Sequence, residues 1–192
     1  MVPIALDPRN ARLAIAGNGD LAVRRLQALR AAGAQDLLVF ADAAEPALLA
    51  VAGTALRARI PDDADLQALH VLWIAGLSGL AEEKTLAAAA RRLRVLVNVE
   101  DRPEFCDFHS VAEVRRKNLT LTVSTNGKAP GLAGNIRRNL EKCFGPEWDA
   151  RVEEIAALRA GWRAAGVPMA EAARRIDALV AERCWLPCQK TH

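Results

Sequence analysis

Hydrophobic and polar positions along the first hundred residues alternate between two periods. Short apolar runs of strand type stand at 12–17, 36–41, 55–60, 71–75 and 95–99. Between them lie stretches with Leu and Ala at helical spacing, at 20–32, 43–52, 62–69 and 79–93. The runs VLWIA and VLVNV are almost continuously apolar, as strands covered on both faces should be. Gly33, Gly53 and Pro61 punctuate the pattern as helix and strand stops. This β-α-β-α cadence predicts a Rossmann-like, doubly wound parallel sheet of the α/β class.

The pattern changes after Asp101. Residues 109–117 read as a short helix, and LTLTVS at 119–124 as a half-polar strand. Ser124-Thr125-Asn126-Gly127-Lys128-Ala129-Pro130 reads as a turn, with Pro130 at the first position of a helix over 131–144. Helices are then expected at 147–165 and 169–183, parted by Gly166-Val167-Pro168. The expected organisation is a Rossmann-like domain over 1–107, a small strand–helix unit over 108–145 and a helical C-terminal region over 146–192.

Composition narrows the function classes. The chain has 192 residues, of which 52% are hydrophobic and 26% charged, enough for a packed core. No apolar run approaches the roughly 18 residues of a membrane span, and no basic stretch leads into an apolar one near Met1, so neither membrane span nor secretory leader is expected. Aromatic residues are 4% and tyrosine is absent, a poor stacking surface for nucleic acid. The four cysteines follow no disulfide ladder, which suits a reducing cytoplasm. Cys184 and Cys188 lack two further ligands at zinc spacing, so no metal site is expected. The net charge is +3, but between Arg102 and Lys142 eight Lys or Arg stand against four acids. That surplus is either a solvated face or a seat for an anionic ligand.

Three segments carry candidate chemistry. Gly17-Asn18-Gly19-Asp20-Leu21-Ala22 is a G-x-G-x-x-A turn between a strand and a helix. Gly17 suits the tight turn, Gly19 the approach of a pyrophosphate, and Ala22 close helix–strand packing. Asp42 closes the second strand. It can accept from a ribose 2′-hydroxyl and repel a 2′-phosphate, which favours NAD, or it can cap the following helix. Asn98-Val99-Glu100-Asp101 closes the fifth strand, where doubly wound sheets bind ligands. Position alone leaves Glu100 and Asp101 open as the proton-handling carboxylate.

Together these residues resemble precorrin-2 dehydrogenase, the dehydrogenase and often ferrochelatase module of siroheme synthases. The most diagnostic segments are Asn98-Val99-Glu100-Asp101 and Ser124-Thr125-Asn126-Gly127-Lys128-Ala129-Pro130, with Ile136-Arg137 following. The resemblance implies NAD-dependent oxidation of precorrin-2 to sirohydrochlorin, with insertion of ferrous iron as a second activity in some members. It also implies a homodimer formed through the middle region. By position it places the catalytic aspartate on Asp101 and the substrate contacts on Ser124, Thr125, Asn126, Gly127, Lys128 and Arg137. Glu100, the neighbour expected to point away along an extended segment, should then be dispensable. An NAD-binding regulatory module without turnover is the competing reading. One departure stands at the end of the fourth strand, where Gly76-Leu77-Ser78-Gly79 replaces the acidic loop common in the family.

Overall fold

A computed structural model describes residues 2–186. The chain divides into two units, the first ending at Ser110 and the second beginning at Val111.

The first unit is a five-stranded parallel sheet. Its strands are β1 (Leu13–Gly17), β2 (Leu37–Phe40), β3 (Leu56–Arg57), β4 (Val71–Ala75) and β5 (Leu96–Val99), in the order β3-β2-β1-β4-β5. Alternate residues of each strand feed opposite faces. Leu13, Ile15, Val71 and Trp73 pack under α1 (Gly19–Ala31) and α2 (Pro46–Ala52) through Ala22, Leu26, Leu48 and Ala52. Ala14, Ala16, Leu72 and Ile74 pack under α3 (Asp63–Gln67) and α4 (Leu80–Arg92) through Leu66, Leu86, Ala87 and Ala90. Both faces are therefore covered, which is why β1 and β4 are buried at every position. Each fully buried Leu or Ile contributes roughly 1.5–3 kcal/mol. The doubly wound expectation holds, and the strand order reverses between β1 and β4, where such sheets open a ligand crevice.

Two boundaries differ from the sequence pattern. The third strand is only two residues, because a 3-10 turn at Gly53–Ala55 consumes its start and pairing reaches only Val39↔Leu56 and Phe40↔Arg57. The second helix begins at Pro46, with Glu45 as its N-cap, rather than at 43. Proline needs no amide partner in a first helical turn, so it sets the start.

The second unit opens with a correction. The stretch expected as a helix at 109–117 is instead β6 (Ala112–Arg116), paired antiparallel with β7 (Leu119–Val123). Arg116 faces Leu119 across a two-residue loop of Lys117 and Asn118, and Lys117 has φ 42. Positive φ at the first loop residue is the geometry of a type II′ hairpin turn. Alternation through Val114, buried between partly exposed neighbours, is a strand signal that the following Arg-Arg-Lys run obscured. Helices α5 (Pro130–Cys143), α6 (Trp148–Ala164) and α7 (Met169–Glu182) complete the unit, and α5 packs against both strands. Arg151 lies over the rings of both Trp148 and Trp185, 5.0 and 5.2 Å from their centroids, tying the end of α7 to the start of α6. Cys188, half of the cysteine pair discussed above, lies outside the described residues.

Candidate functional site

The crevice at the strand-order reversal is built by backbone meeting backbone. The Asn18 N–H donates to the carbonyls of Ala75 and Gly76, each at 3.1 Å. A Cβ on Gly17 would lie 1.9 Å from the Ala75 carbonyl oxygen, and one on Gly76 would lie 2.4 Å from that of Asn18. No side chain fits either place, so the Gly76 departure at the end of β4 is a structural requirement of this chain's own turn. Gly17→Ala should cost at least about 2 kcal/mol of stability, the overpacking range, and chemical denaturation monitored by circular dichroism checks it.

Gly19 differs in kind. It opens α1 at φ 65, and a Cβ there would meet only the mobile end of Glu45, 3.5–3.9 Å away. The space in front of it is open to a ligand. Asn18, a residue type that usually caps a helix, makes no cap bond here. Its amide instead donates to the Ala43 carbonyl at 2.6 Å and its Oδ1 accepts from the Glu45 N–H at 2.9 Å. The glycine turn is thereby tied to the loop after β2, and the first N–H groups of α1 are left without a side-chain acceptor. Uncapped N–H groups at a glycine turn are the donors a pyrophosphate needs, so the site fits a dinucleotide. Ala22 is fully buried against the sheet, as close packing requires.

Asp42 lies two residues past β2. Its Oδ1 accepts from the Ala43 N–H at 2.9 Å. It does not stand at the N-cap of the second helix, a position that Glu45 occupies without a side-chain cap bond. Asp42 is exposed, on the loop that Asn18 anchors. Glu45, which the sequence pattern placed inside the helix, brings its carboxylate to the space in front of Gly19, and Pro46 was the signal for its true position.

The third segment is a tight turn. The Arg102 N–H donates to the Val99 carbonyl at 3.2 Å, with Glu100 and Asp101 between them. Asp101 has φ 60. Negative φ followed by positive φ is the type II pattern, where glycine is the favoured third residue, so an aspartate there carries backbone strain. Glu100 donates no opposite-facing side chain to solvent as an extended segment would demand. It reaches Arg25 of α1 at 2.7 Å. Leu21, Arg24, Arg25 and Ala28 of α1 line a cleft of about 420 Å3 together with Glu100 and Asp101. Leu21 belongs to the glycine segment, so α1 links that turn to Asp101. The loop is backed by Cys106, whose thiol accepts from the Val99 N–H at 3.2 Å. Burial pushes the Cys106 thiol up, whereas Cys143 and Cys184 are exposed. Alkylation at neutral pH with peptide mapping should therefore label Cys143 and Cys184 well before Cys106.

In the second unit, Ser124 to Lys128 form the loop between β7 and α5. The Thr125 hydroxyl accepts from the Ala129 N–H at 3.1 Å, and that of Ser124 from the Asn126 N–H at 3.2 Å. Asn126 and Gly127 follow at φ 54 and 78. These bonds fix a rigid loop at a helix start that has no side-chain cap. Lys128 and Arg138 are exposed. Arg137 pairs with Glu141 at 2.9 Å and Arg115 with Glu113 at 2.9 Å, so part of the basic surplus is answered internally.

Residues 4–112 match a family model described as putative NAD(P)-binding, and residues 116–142 match one described as sirohaem biosynthesis protein central. The first alone spans more than half of the chain. This chain belongs to that NAD(P)-binding family. The siroheme synthase of Methylococcus capsulatus is 34% identical over 82% of this chain and 34% of its own length. That of Thioalkalivibrio sulfidiphilus is 30% identical over 90% of this chain and 35% of its own. The chain thus spans about a third of the siroheme synthases it matches. A solved structure titled SirC, precorrin-2 dehydrogenase, superposes with a TM-score of 0.76 over 97% of this chain and 93% of that one, at 17% identity. That likeness is one of fold. The siroheme family model falls on β7, the 124–129 loop and α5, the segment whose sequence carried the resemblance. Among the described residues no helix is long and apolar enough to cross a membrane.

Proposed function

We propose that this chain oxidises precorrin-2 to sirohydrochlorin with NAD+ in the cytoplasm. The observation that carries the reading is the convergence on α1 of an open, uncapped glycine turn and a carboxylate held in a left-handed turn beside a cleft. Similarity to siroheme synthases supplies the substrate class, and the structural neighbour is named as a precorrin-2 dehydrogenase.

NAD+, when bound, supplies the hydride acceptor. Gly17, Asn18, Gly19, Asp20, Leu21 and Ala22 hold its pyrophosphate through backbone N–H groups and the positive end of α1. Asp42 accepts from the ribose hydroxyls and repels a 2′-phosphate, so NAD is preferred to NADP. Asp101 takes or directs the proton that the macrocycle loses as its hydride departs, which balances the two-hydrogen oxidation. The substrate bears many carboxylates. Ser124, Thr125, Asn126, Gly127, Lys128 and Arg137 meet them through hydroxyls, uncapped amides and cationic side chains. In this reading 1–107 serves the cofactor, 108–145 the substrate and dimer contact, and 146–192 is a helical region. Ferrous iron would enter only as a second substrate, held by the macrocycle nitrogens and Asp101. Among the described residues no three His, Cys, Asp or Glu side chains gather to hold a metal.

The second unit supports pairing with another copy. Among its described residues only Val114 and Ala133 are buried, while Val111, Leu132 and Ile136 are exposed. Light scattering at micromolar concentration should report twice the chain mass of 20.7 kDa, and a particle of single-chain mass would remove the dimer. The function itself is tested by mixing the protein with precorrin-2 and NAD+ under anaerobic conditions and following the macrocycle absorption. Conversion supports the proposal, and nucleotide binding without conversion leaves a regulatory module.

A further inference from the structure

The turn carrying Asp101 is braced from both faces of the sheet. On one face Glu100 pairs with Arg25 of α1 at 2.7 Å, with side chains 30% and 16% exposed. On the other, Arg102 faces Glu83 of α4 at 3.6 Å, too long for a hydrogen bond, and Glu83 is 12% exposed. The two pairs flank Asp101 in sequence. Underneath, the Cys106 sulfur lies 3.2 Å from the carbonyls of both Val99 and Arg102, the two ends of the turn.

These pairs are poor candidates for stability alone. A half-buried ion pair recovers little more than its desolvation cost, and apolar residues of the same volume often do better. The Arg25 Nε is buried with no hydrogen-bond partner, and so is the Glu83 Oε2 that faces Arg102. A packing solution would not leave those groups unanswered. What the pairs do achieve is geometric. A left-handed aspartate has no intrinsic reason to stay so, and persists only where its surroundings hold it.

We propose that Arg25 and Glu100 form a positioning pair that, with Arg102 and Glu83 opposite, fixes Asp101 at the mouth of the α1 cleft. The inference rests on the reading of Asp101 as the proton-handling residue. It also reverses the expectation that Glu100 is dispensable. That expectation assumed an extended segment, in which neighbouring side chains diverge. In a tight turn both side chains line one cleft.

The test uses Glu100→Gln, which keeps size and removes charge, together with Arg25→Met and the conservative Arg25→Lys. Glu100→Gln and Arg25→Met should each lower kcat by about tenfold to a hundredfold, the range for a misplaced catalytic group. The KM for NAD+ should change by less than about twofold, since the phosphates are held elsewhere. The double variant should be little worse than either single one, because the two residues act as a unit. Arg25→Lys should recover most of the turnover. The Arg102 N–H closes the turn, so its hydrogen exchange measured by NMR should quicken by about tenfold or more in Glu100→Gln, while amides of β1 and β4 keep their rates. Arg92→Gln, which removes the exposed Arg92–Asp63 pair, is the control and should change neither. Unchanged exchange at Arg102 overturns the proposal whatever the activity does. Faster exchange with unaltered kcat overturns it too, because the pair would then be structural only. Full turnover in Asp101→Asn overturns the reading beneath it, and that variant separates the two failures.

Discussion

Replacing Asp101 by asparagine should lower turnover of precorrin-2 by at least about a hundredfold, the lower range for a general acid–base group, while NAD affinity stays within about twofold. The carboxylate stands in the β5 turn on the cleft beside Arg24 and Arg25, whereas the uncapped N–H groups proposed to hold the phosphates lie at the start of α1. Asparagine tolerates the left-handed conformation as well as aspartate does, so the loss would report chemistry and not folding. Asp101→Gly sharpens the point. At φ 60 glycine pays no Cβ penalty, so that variant should match or exceed the parent in stability, by up to about 1 kcal/mol, and still be inactive. A residue whose removal stabilises the fold and abolishes turnover is one whose strain serves function. Steady-state kinetics paired with urea denaturation of both variants checks this. Turnover near the parent level in either would move the search to Ser124 through Lys128.

Gly19→Asp should weaken NAD binding by at least about a hundredfold, a loss of about 2.7 kcal/mol, and leave the chain folded. The backbone at Gly19 is left-handed, which aspartate tolerates better than most residues. Only the end of Glu45 stands in the way of its Cβ. The new carboxylate would lie where the pyrophosphate is read and would cancel the field of the helix N-terminus. Gly17→Ala is the contrasting case, since its clash is with backbone and its cost is stability. Nicotinamide fluorescence titration, run beside circular dichroism, separates the two glycines. Unchanged affinity in Gly19→Asp would remove the pyrophosphate assignment.

Much of the first unit was legible because buried parallel strands and amphipathic helices write different periods into the chain. VLWIA and the G-x-G-x-x-A turn each leave a residue pattern in the sequence even though the need for it comes from packing on both sheet faces and from the Ala75 backbone. The misreadings arose where local signals conflict or run short. Residues 112–116 alternate as a strand, yet Glu, Arg and Lys in the same stretch suit a helix, and the hairpin turn uses Lys117 where glycine would have announced it. Asp42 is a favoured N-cap type, and only Pro46 shows that the helix starts three residues later. The role of Gly76 was hidden because it depends on Asn18, fifty-eight positions earlier, approaching its backbone. Glu100 is the plainest case. Its pairing with Arg25 on another element is invisible to any pattern of neighbours, and it is this pairing on which the proposed support of Asp101 rests.

In the proposed reaction one chain takes a hydride from precorrin-2 and delivers it to NAD+ under the control of Asp101. The most direct test is an anaerobic assay with purified precorrin-2 and NAD+ in which sirohydrochlorin and NADH are measured together. Equal amounts of the two products from the parent protein, with neither formed by Asp101→Asn at unimpaired NAD affinity, is the predicted result. NAD+ bound but no NADH formed by the parent protein, with precorrin-2 left unchanged, would contradict it.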